Sequence, residues 1–285
     1  MKKSSEKAAL EKKLLSLLPA GCAFTKTLDR ALVYCMKTGG KRLRPLLFMD
    51  VVKAVKKDIP PEMKKKLLDF ACGIEFIHAY SLVHDDIMDG DDMRRGKETV
   101  CKKFGSSTAI LAGDALLTRG LEILYGSFPV AAAMVNAGVG SPGMIAGQAA
   151  DMAQEGKKSP SEKALWYIHL NKTAAFFAAV CGAGAAAAGA PEKDARRFAS
   201  FGRRLGMAFQ VRDDMLDRVG DMKKYKKSRN DEKNDKLTVL KFYTLAKAMR
   251  MVNEISAEAE SFLEKLPYDT SSLLEMSGAL REREF

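Results

Sequence analysis

The chain has 285 residues and a mass of 31.2 kDa, a length that suits one large domain or two small ones. With 47% hydrophobic and 29% charged residues it can build a buried core, which excludes a disordered or collagen-like polymer. Lysine and arginine exceed aspartate and glutamate by 47 to 36, and the resulting charge of +11 favours anionic partners without naming one.

At the N-terminus two lysines precede an apolar stretch, residues 14–24, that ends at Gly21-Cys22 like a weak export signal. Glu6, Glu11, Lys12 and Lys13 crowd the region ahead of it and Pro19 cuts the apolar run short, so a cytoplasmic chain is the better reading. The five cysteines are odd in number, widely spaced and form no Cys-x-x-Cys pair. That argues against a disulfide framework or a thiolate zinc site and for a reducing compartment.

Apolar residues then recur at helical spacing over 67–82, 110–125, 144–152 and 198–216. Breakers separate these runs: Pro60-Pro61, Gly105, Gly126 to Pro129, Ser141-Pro142-Gly143, Ser159-Pro160 and Gly189-Ala190-Pro191. Alanine is abundant and period-two alternation is scarce, so the fold class is all-α. No gap reads as an interdomain linker and no fixed-period repeat occurs, so residues 1–285 read as a single domain. The uncharged stretch Thr173 to Ala190 approaches the length of a membrane span, but its Ala and Gly content reads as a closely packed buried helix without membrane insertion. Residues 221–236 form one strongly polar run, a solvated loop on its composition alone.

Two acidic clusters each interrupt an apolar helix: Asp85-Asp86-x-x-Asp89 and Asp213-Asp214-x-x-Asp217. Residues four apart share a helix face, so Asp85 with Asp89, and Asp213 with Asp217, each aim two carboxylates one way. Like charges so placed repel one another unless a cation or a base intervenes. One such cluster reads as a solvated acidic face; two copies of one pattern, each continuing an apolar stripe, read better as hard-cation sites. Carboxylates without His or Cys partners suit Mg²⁺, which keeps several waters and is shared with substrate phosphates.

Basic residues flank these clusters. Gly39-Gly40-Lys41-Arg42-Leu43-Arg44-Pro45 opens a helix with glycines that permit close backbone approach, and Arg94-Arg95 follows the first acidic cluster. Arginine forks bind phosphate oxygens in pairs. Nucleic acid is a poor match, because the adjoining carboxylates would repel a polyanion.

The motifs GGKRLRP at 39–45, IHAYSLVHDDIMDGDDMRRGK at 77–97, GQAAD at 147–151, KT at 172–173 and FQVRDDMLD at 209–217 together resemble the trans-isoprenyl diphosphate synthases, the short-chain farnesyl and geranylgeranyl diphosphate synthases among them. The resemblance runs in the family's order from about residue 30 to residue 240. It implies a bundle of about ten or more helices around a central active-site cavity. It also implies head-to-tail condensation of isopentenyl diphosphate with an allylic diphosphate, with dimethylallyl, geranyl and farnesyl as candidate primers. Farnesyl diphosphate is the first choice of product and geranylgeranyl diphosphate the alternative. About three Mg²⁺ ions and a homodimer also follow from the resemblance.

Carried over residue by residue, Lys41, Arg44, His78 and Arg95 would hold isopentenyl diphosphate. Asp85, Asp86 and Asp89, with Asp213, Asp214 and Asp217 opposite, would be metal ligands. Arg94, Lys172, Lys227 and Lys236 would hold the allylic diphosphate, and Thr173 and Gln210 would turn their dipoles to the allylic cation. His84 and His169 receive no catalytic role and read as hydrogen-bonded structural histidines. Three departures stand out: Lys226-Lys227 replaces the usual Gly-Lys, Glu98 stands where Pro is common, and the first Asp motif lacks the two-residue insertion of bacterial short-chain enzymes.

Tyr80 lies five residues before Asp85, about 7.5 Å along a helix axis, and Ser81 one turn before it on the same face. A ring there would close the pocket of a growing chain and limit it to fifteen or twenty carbons. A terpene cyclase-like enzyme would lack the 39–45 signature, and a non-catalytic partner subunit would lose acidic ligands; neither loss is present.

Overall fold

The structure, a computed structural model, describes residues 2–157, 159–219 and 236–282, with side chains left out for 2–4 and 217–219. Backbone contacts group these residues into two units, 2–49 with 59–129 and 50–58 with 130–157, 159–219 and 236–282.

The first unit contains α1 (Lys2–Ser16), α2 (Lys26–Lys37), the start of α3 (Leu43–Val55), α4 (Pro61–Met88), a hairpin of β1 (Met93–Arg94) and β2 (Lys97–Glu98), α5 (Val100–Phe104) and α6 (Ser106–Ser127). Pro60-Pro61 starts α4 as the sequence breaker implied, since a proline at the first helical position lacks only an N–H with no partner in the helix. Thr99 caps α5 by accepting from Lys102 N at 3.1 Å. The core of this unit is α4 against α6. Gly73 and Gly120 face one another so closely that a Cβ on either would lie 3.0 Å from the other's carbonyl oxygen. Phe48 stacks on Phe70 at 4.8 Å between ring centres, and Phe128 meets Phe70 edge-on at 5.9 Å. Leu10 and Leu14 of α1 are buried in the same core.

The second unit contains the end of α3, α7 (Pro129–Val139) from Val130 onward, α8 (Met144–Met152), α9 (Glu162–Ile168), a π-helical segment His169–Ala174, α10 (Ala175–Ala187), α11 (Glu192–Val219), a 3₁₀ turn Val239–Lys241, α12 (Leu245–Glu264) and α13 (Ser271–Arg281). Ser161 caps α9 and Thr244 caps α12 through their hydroxyls. The small residues of α10 are buried almost throughout, as the sequence implied, because α11 comes very close: a Cβ on Gly202 would lie 2.5 Å from the Phe177 carbonyl oxygen. A second cluster, Leu165, Ile168, Val211, Met215, Leu237, Val239, Ala248 and Val252, joins α9, α11 and α12.

The all-α reading holds. Among the described residues the only strands are the two-residue β1 and β2, which pair antiparallel as Met93 with Glu98 and Arg94 with Lys97. Among the described residues two apolar stretches have the length of a membrane span, Pro129–Met152 and Glu162–Ala187. The first is broken between α7 and α8, and the second is 72% buried within the folded chain, as a core helix is.

Candidate active site

In the first unit the last turns of α4 carry the acidic motif. Asp85 is half-buried, while Asp86, rotated from it by one residue, is buried and receives the Arg94 Nε hydrogen bond. Arg94 Nη2 also lies 3.8 Å from Asp85 Oδ2, so one guanidinium relieves the repulsion that the motif implies. Loss of water pushes the Asp86 carboxyl up to about 6 despite Arg94. The hairpin that delivers Arg94 turns at Arg95-Gly96, both with positive φ (53° and 73°), the geometry of a type I′ turn. Glu98, where the resemblance places proline, ends β2 and accepts a hydrogen bond from Tyr34 OH on its carbonyl at 2.8 Å.

Two turns earlier on α4 is His78. Arg44 Nη1 lies 3.4 Å from His78 Nε2, and arginine has no acceptor, so the histidine nitrogen accepts and the ring is neutral with its proton on Nδ1. Burial first, then Arg44, Arg95 and Arg94, hold the His78 pKa well below its usual value. Lys41, three residues before Arg44, is exposed, and Arg95 is anchored on the Gly39 carbonyl. Seven residues turn an α-helix almost twice, so His78 and Asp85 share a face about 10 Å apart.

Tyr80 and Ser81 occupy α4 between these groups. Tyr80 is buried with its ring edge-on to His84 at 5.5 Å, and burial raises its pKa. Ser81 Oγ donates to the His78 carbonyl at 2.8 Å. His84 Nε2 donates to the Ile110 carbonyl on α6 at 3.2 Å, a structural bond.

In the second unit polar side chains gather on α8, the π segment and α11. A Cβ on Gly147 would lie 2.1 Å from Lys172 N, so α8 rests directly on the π-segment backbone. One turn further along α8, Asp151 is buried and accepts from Lys172 Nζ at 2.7 Å. Thr173 Oγ1 donates to Gln210 Oε1 at 2.7 Å, and Gln210 Nε2 donates to Asp214 Oδ1 at 2.9 Å. Asp214 Oδ2 accepts from Val239 N at 2.7 Å and lies 3.2 Å from His169 Nε2. Asp214 is therefore buried and engaged by three donors, while Asp213 is half-buried on a different face of α11. Lys236 is half-buried just before Leu237. Lys227 and the Asp217 side chain lie outside the described residues.

Sequence reasoning gave no separate role to Arg42, Glu75 or Asp151, while His169, expected as a structural histidine, is buried against Asp214. Arg42 and Asp151 fell inside the quoted motifs GGKRLRP and GQAAD, and Gly147 and Asp151, four apart, share a face of α8. Among the described residues no three His, Cys, Asp or Glu side chains group closely enough to hold a metal unaided. Oxygen-only donors in pairs fit Mg²⁺, whose remaining positions go to water and phosphate.

Paired carboxylates beside a forked arginine at the end of α4 suit Mg²⁺ and diphosphate chemistry. The Polyprenyl synthetase family signature matches residues 25–269. The farnesyl diphosphate synthase of Bacillus subtilis (strain 168) is 37% identical over 270 residues, 90% of this chain and 89% of that one. The geranylgeranyl diphosphate synthase of Cyanophora paradoxa is 35% identical over 251 residues, 84% of this chain and 81% of that one. A solved geranyltransferase of Helicobacter pylori, complexed with magnesium and isoprenyl diphosphate, matches with a TM-score of 0.85 at 28% identity, covering 99% of this chain and 95% of that one. The chain belongs to the polyprenyl synthetase family and is a prenyltransferase of the short-chain trans-isoprenyl diphosphate synthase kind.

Proposed function

We propose that the chain joins isopentenyl diphosphate head-to-tail to an allylic diphosphate, with farnesyl diphosphate as the product. The observation that carries this reading is the spacing along α4: His78, joined by Arg44 of α3, marks one anion site, and Asp85, with Asp89 at the helix end, marks an acidic one two turns along the same face. A two-substrate condensation needs both, one to seat an acceptor diphosphate and one to grip the diphosphate that leaves.

In this reading Lys41, Arg44, His78 and Arg95 bind isopentenyl diphosphate, while Arg94, Lys172, Lys227 and Lys236 bind the allylic diphosphate. Asp85, Asp89, Asp213 and Asp217 are the carboxylates through which about three Mg²⁺ are held, with Asp86 and Asp214 orienting Arg94 and Gln210 beside them. When bound, Mg²⁺ neutralises charge that builds on the departing diphosphate. The allylic C–O bond breaks, and the lone pairs of Thr173 and Gln210 face the allylic cation. The isopentenyl double bond attacks that cation to form the new C–C bond, and the proton lost from the adjacent carbon goes to the released pyrophosphate.

A geranylgeranyl product is the second reading, because relatives of both kinds match the chain at similar identity. A cytoplasmic location, supported by five free thiols, and a homodimer, supported by exposed Ile110 and Leu111 on α6, complete the proposal. The test is to incubate the purified chain with Mg²⁺, isopentenyl diphosphate and each allylic primer in turn and weigh the products. A fifteen-carbon product from geranyl diphosphate is expected. Folded protein that releases no pyrophosphate with any primer would overturn the reading.

A further inference from the structure

Among the described residues, only Arg42 and Arg95 have positive φ without being glycine, 52° and 53°. Such backbone is strained for a side chain of this size and persists only where its surroundings impose it. Arg95 turns the hairpin. Arg42 sits between Lys41 and Arg44, and its side chain goes the other way: it is 6% exposed, with Nη1 on Glu75 Oε1 at 2.7 Å, Nη2 on the Met36 carbonyl at 2.8 Å, and Nε 3.7 Å from Glu11 at the rim. Both terminal nitrogens are bonded within the protein and the side chain is buried, so the central arginine of the 39–45 motif is not a substrate ligand.

Glu75 is 3% exposed and stands one turn before His78 on α4. Its Oε1 takes Arg42, while its Oε2 has no hydrogen-bond partner, and Glu75 lines a cavity of about 40 Å³ together with Gly39, Arg94 and Arg95. Burial raises the Glu75 pKa, and Arg42 opposes that shift. A buried ion pair is a weak source of stability, since an apolar pair of similar volume does as well. What it does supply is direction. The fork of Arg42 fixes the left-handed bend of the loop against the helix that carries His78.

We infer that Arg42 and Glu75 are a positioning pair that locks the 39–44 loop to α4, so that Lys41 and Arg44 meet one isopentenyl diphosphate together with His78. Neither residue touches substrate. The inference rests on the function proposed above, and wild-type turnover with isopentenyl diphosphate checks that function first and separately.

The experiment compares wild type, Arg42→Lys, Glu75→Gln and the double variant Arg42→Met with Glu75→Leu, reading Tm, kcat and the KM of each substrate. The double variant is expected to melt within about 4 °C of wild type. Its KM for isopentenyl diphosphate should rise about tenfold or more, while the allylic KM and kcat stay within about threefold. Arg42→Lys, which keeps the charge without the fork, should raise the same KM. Recovery of both Tm and KM in the double variant would make the pair merely structural and overturn the inference. If the double variant does not fold, Glu75→Gln decides: a rise confined to the isopentenyl KM supports the inference, and an unchanged KM, or an equal rise for both substrates, overturns it.

Discussion

Thr173 donates its hydroxyl hydrogen to Gln210 Oε1 at 2.7 Å, and the direction of that bond is imposed from behind. Asp214 only accepts, so the amide nitrogen of Gln210 must face it and the carbonyl oxygen must face Thr173. The hydroxyl hydrogen is thereby spent, and the lone pairs of Thr173 remain for a developing cation. Removing one preorganised donor from an oxyanion hole costs roughly 100- to 1,000-fold in rate, and a single hydroxyl lone pair facing a cation sets a smaller effect. Thr173→Val is accordingly expected to lower kcat by about 10- to 100-fold with little change in either KM, and Thr173→Ser to keep most of the activity. Steady-state kinetics with each substrate varied separately checks this. A variant that raised KM with kcat unchanged would show that Thr173 serves binding alone.

Asp86 makes the fold pH-sensitive in a direction set by burial. Its carboxyl is pushed up to about 6 from an ordinary 3.8, so the folded state binds its proton more tightly than the unfolded chain does. The stability this group contributes is fully present below about pH 4 and is lost as pH rises through about 6. Asparagine copies the protonated form. Asp86→Asn is therefore expected to melt higher than wild type at pH 8 without Mg²⁺, by at most about 3 kcal/mol, and the difference should vanish as pH falls from 6 to 4. Thermal melts across that range decide it, and a variant less stable at pH 8 would show that Arg94 outweighs burial.

The helices, their breaks and the two acidic motifs were legible because helical period, proline and glycine are local signals. Which aspartate of each motif turns inward was not legible. Asp86 is taken up by an arginine on a hairpin eight residues on, and Asp214 by a backbone N–H 25 residues away. Both partners are brought in by tertiary packing. The π segment was equally hidden, since His169–Ala174 contains neither glycine nor proline and continues an ordinary helical pattern. Arg42 and Glu75 were not legible as a pair, because 33 residues separate them and their ion pair forms only in the packed core.

The π segment depends on a residue that carries no side chain. A Cβ on Gly147 would lie 2.1 Å from Lys172 N and 2.5 Å from its Cα, and backbone cannot rotate away as a side-chain tip can. Overpacking of this sort costs about 1–3 kcal/mol. Gly147→Ala should lower Tm by several degrees and, by shifting Lys172 and Thr173 together, lower kcat as well. The check is a thermal melt beside a kinetic assay at a temperature where the variant is fully folded. Full activity in that assay would mean that the segment tolerates displacement.

Tyr80 is the residue whose replacement reports on product length. It is buried on α4 five residues before Asp85, with its ring braced edge-on by His84, which is itself tied to the α6 backbone at Ile110. A braced ring cannot swing aside as a chain grows towards it, so the ring should act as a fixed stop rather than a flexible wall. Tyr80→Phe keeps the ring and should keep the product. Tyr80→Ala opens the space, at a stability cost of about 3–5 kcal/mol, and should add one or more five-carbon units to the product made from the same primer. Mass analysis of products from geranyl and farnesyl diphosphates, run on protein shown to be folded, separates the outcomes. A Tyr80→Ala product no longer than that of wild type would mean that the chain ends against another part of the protein.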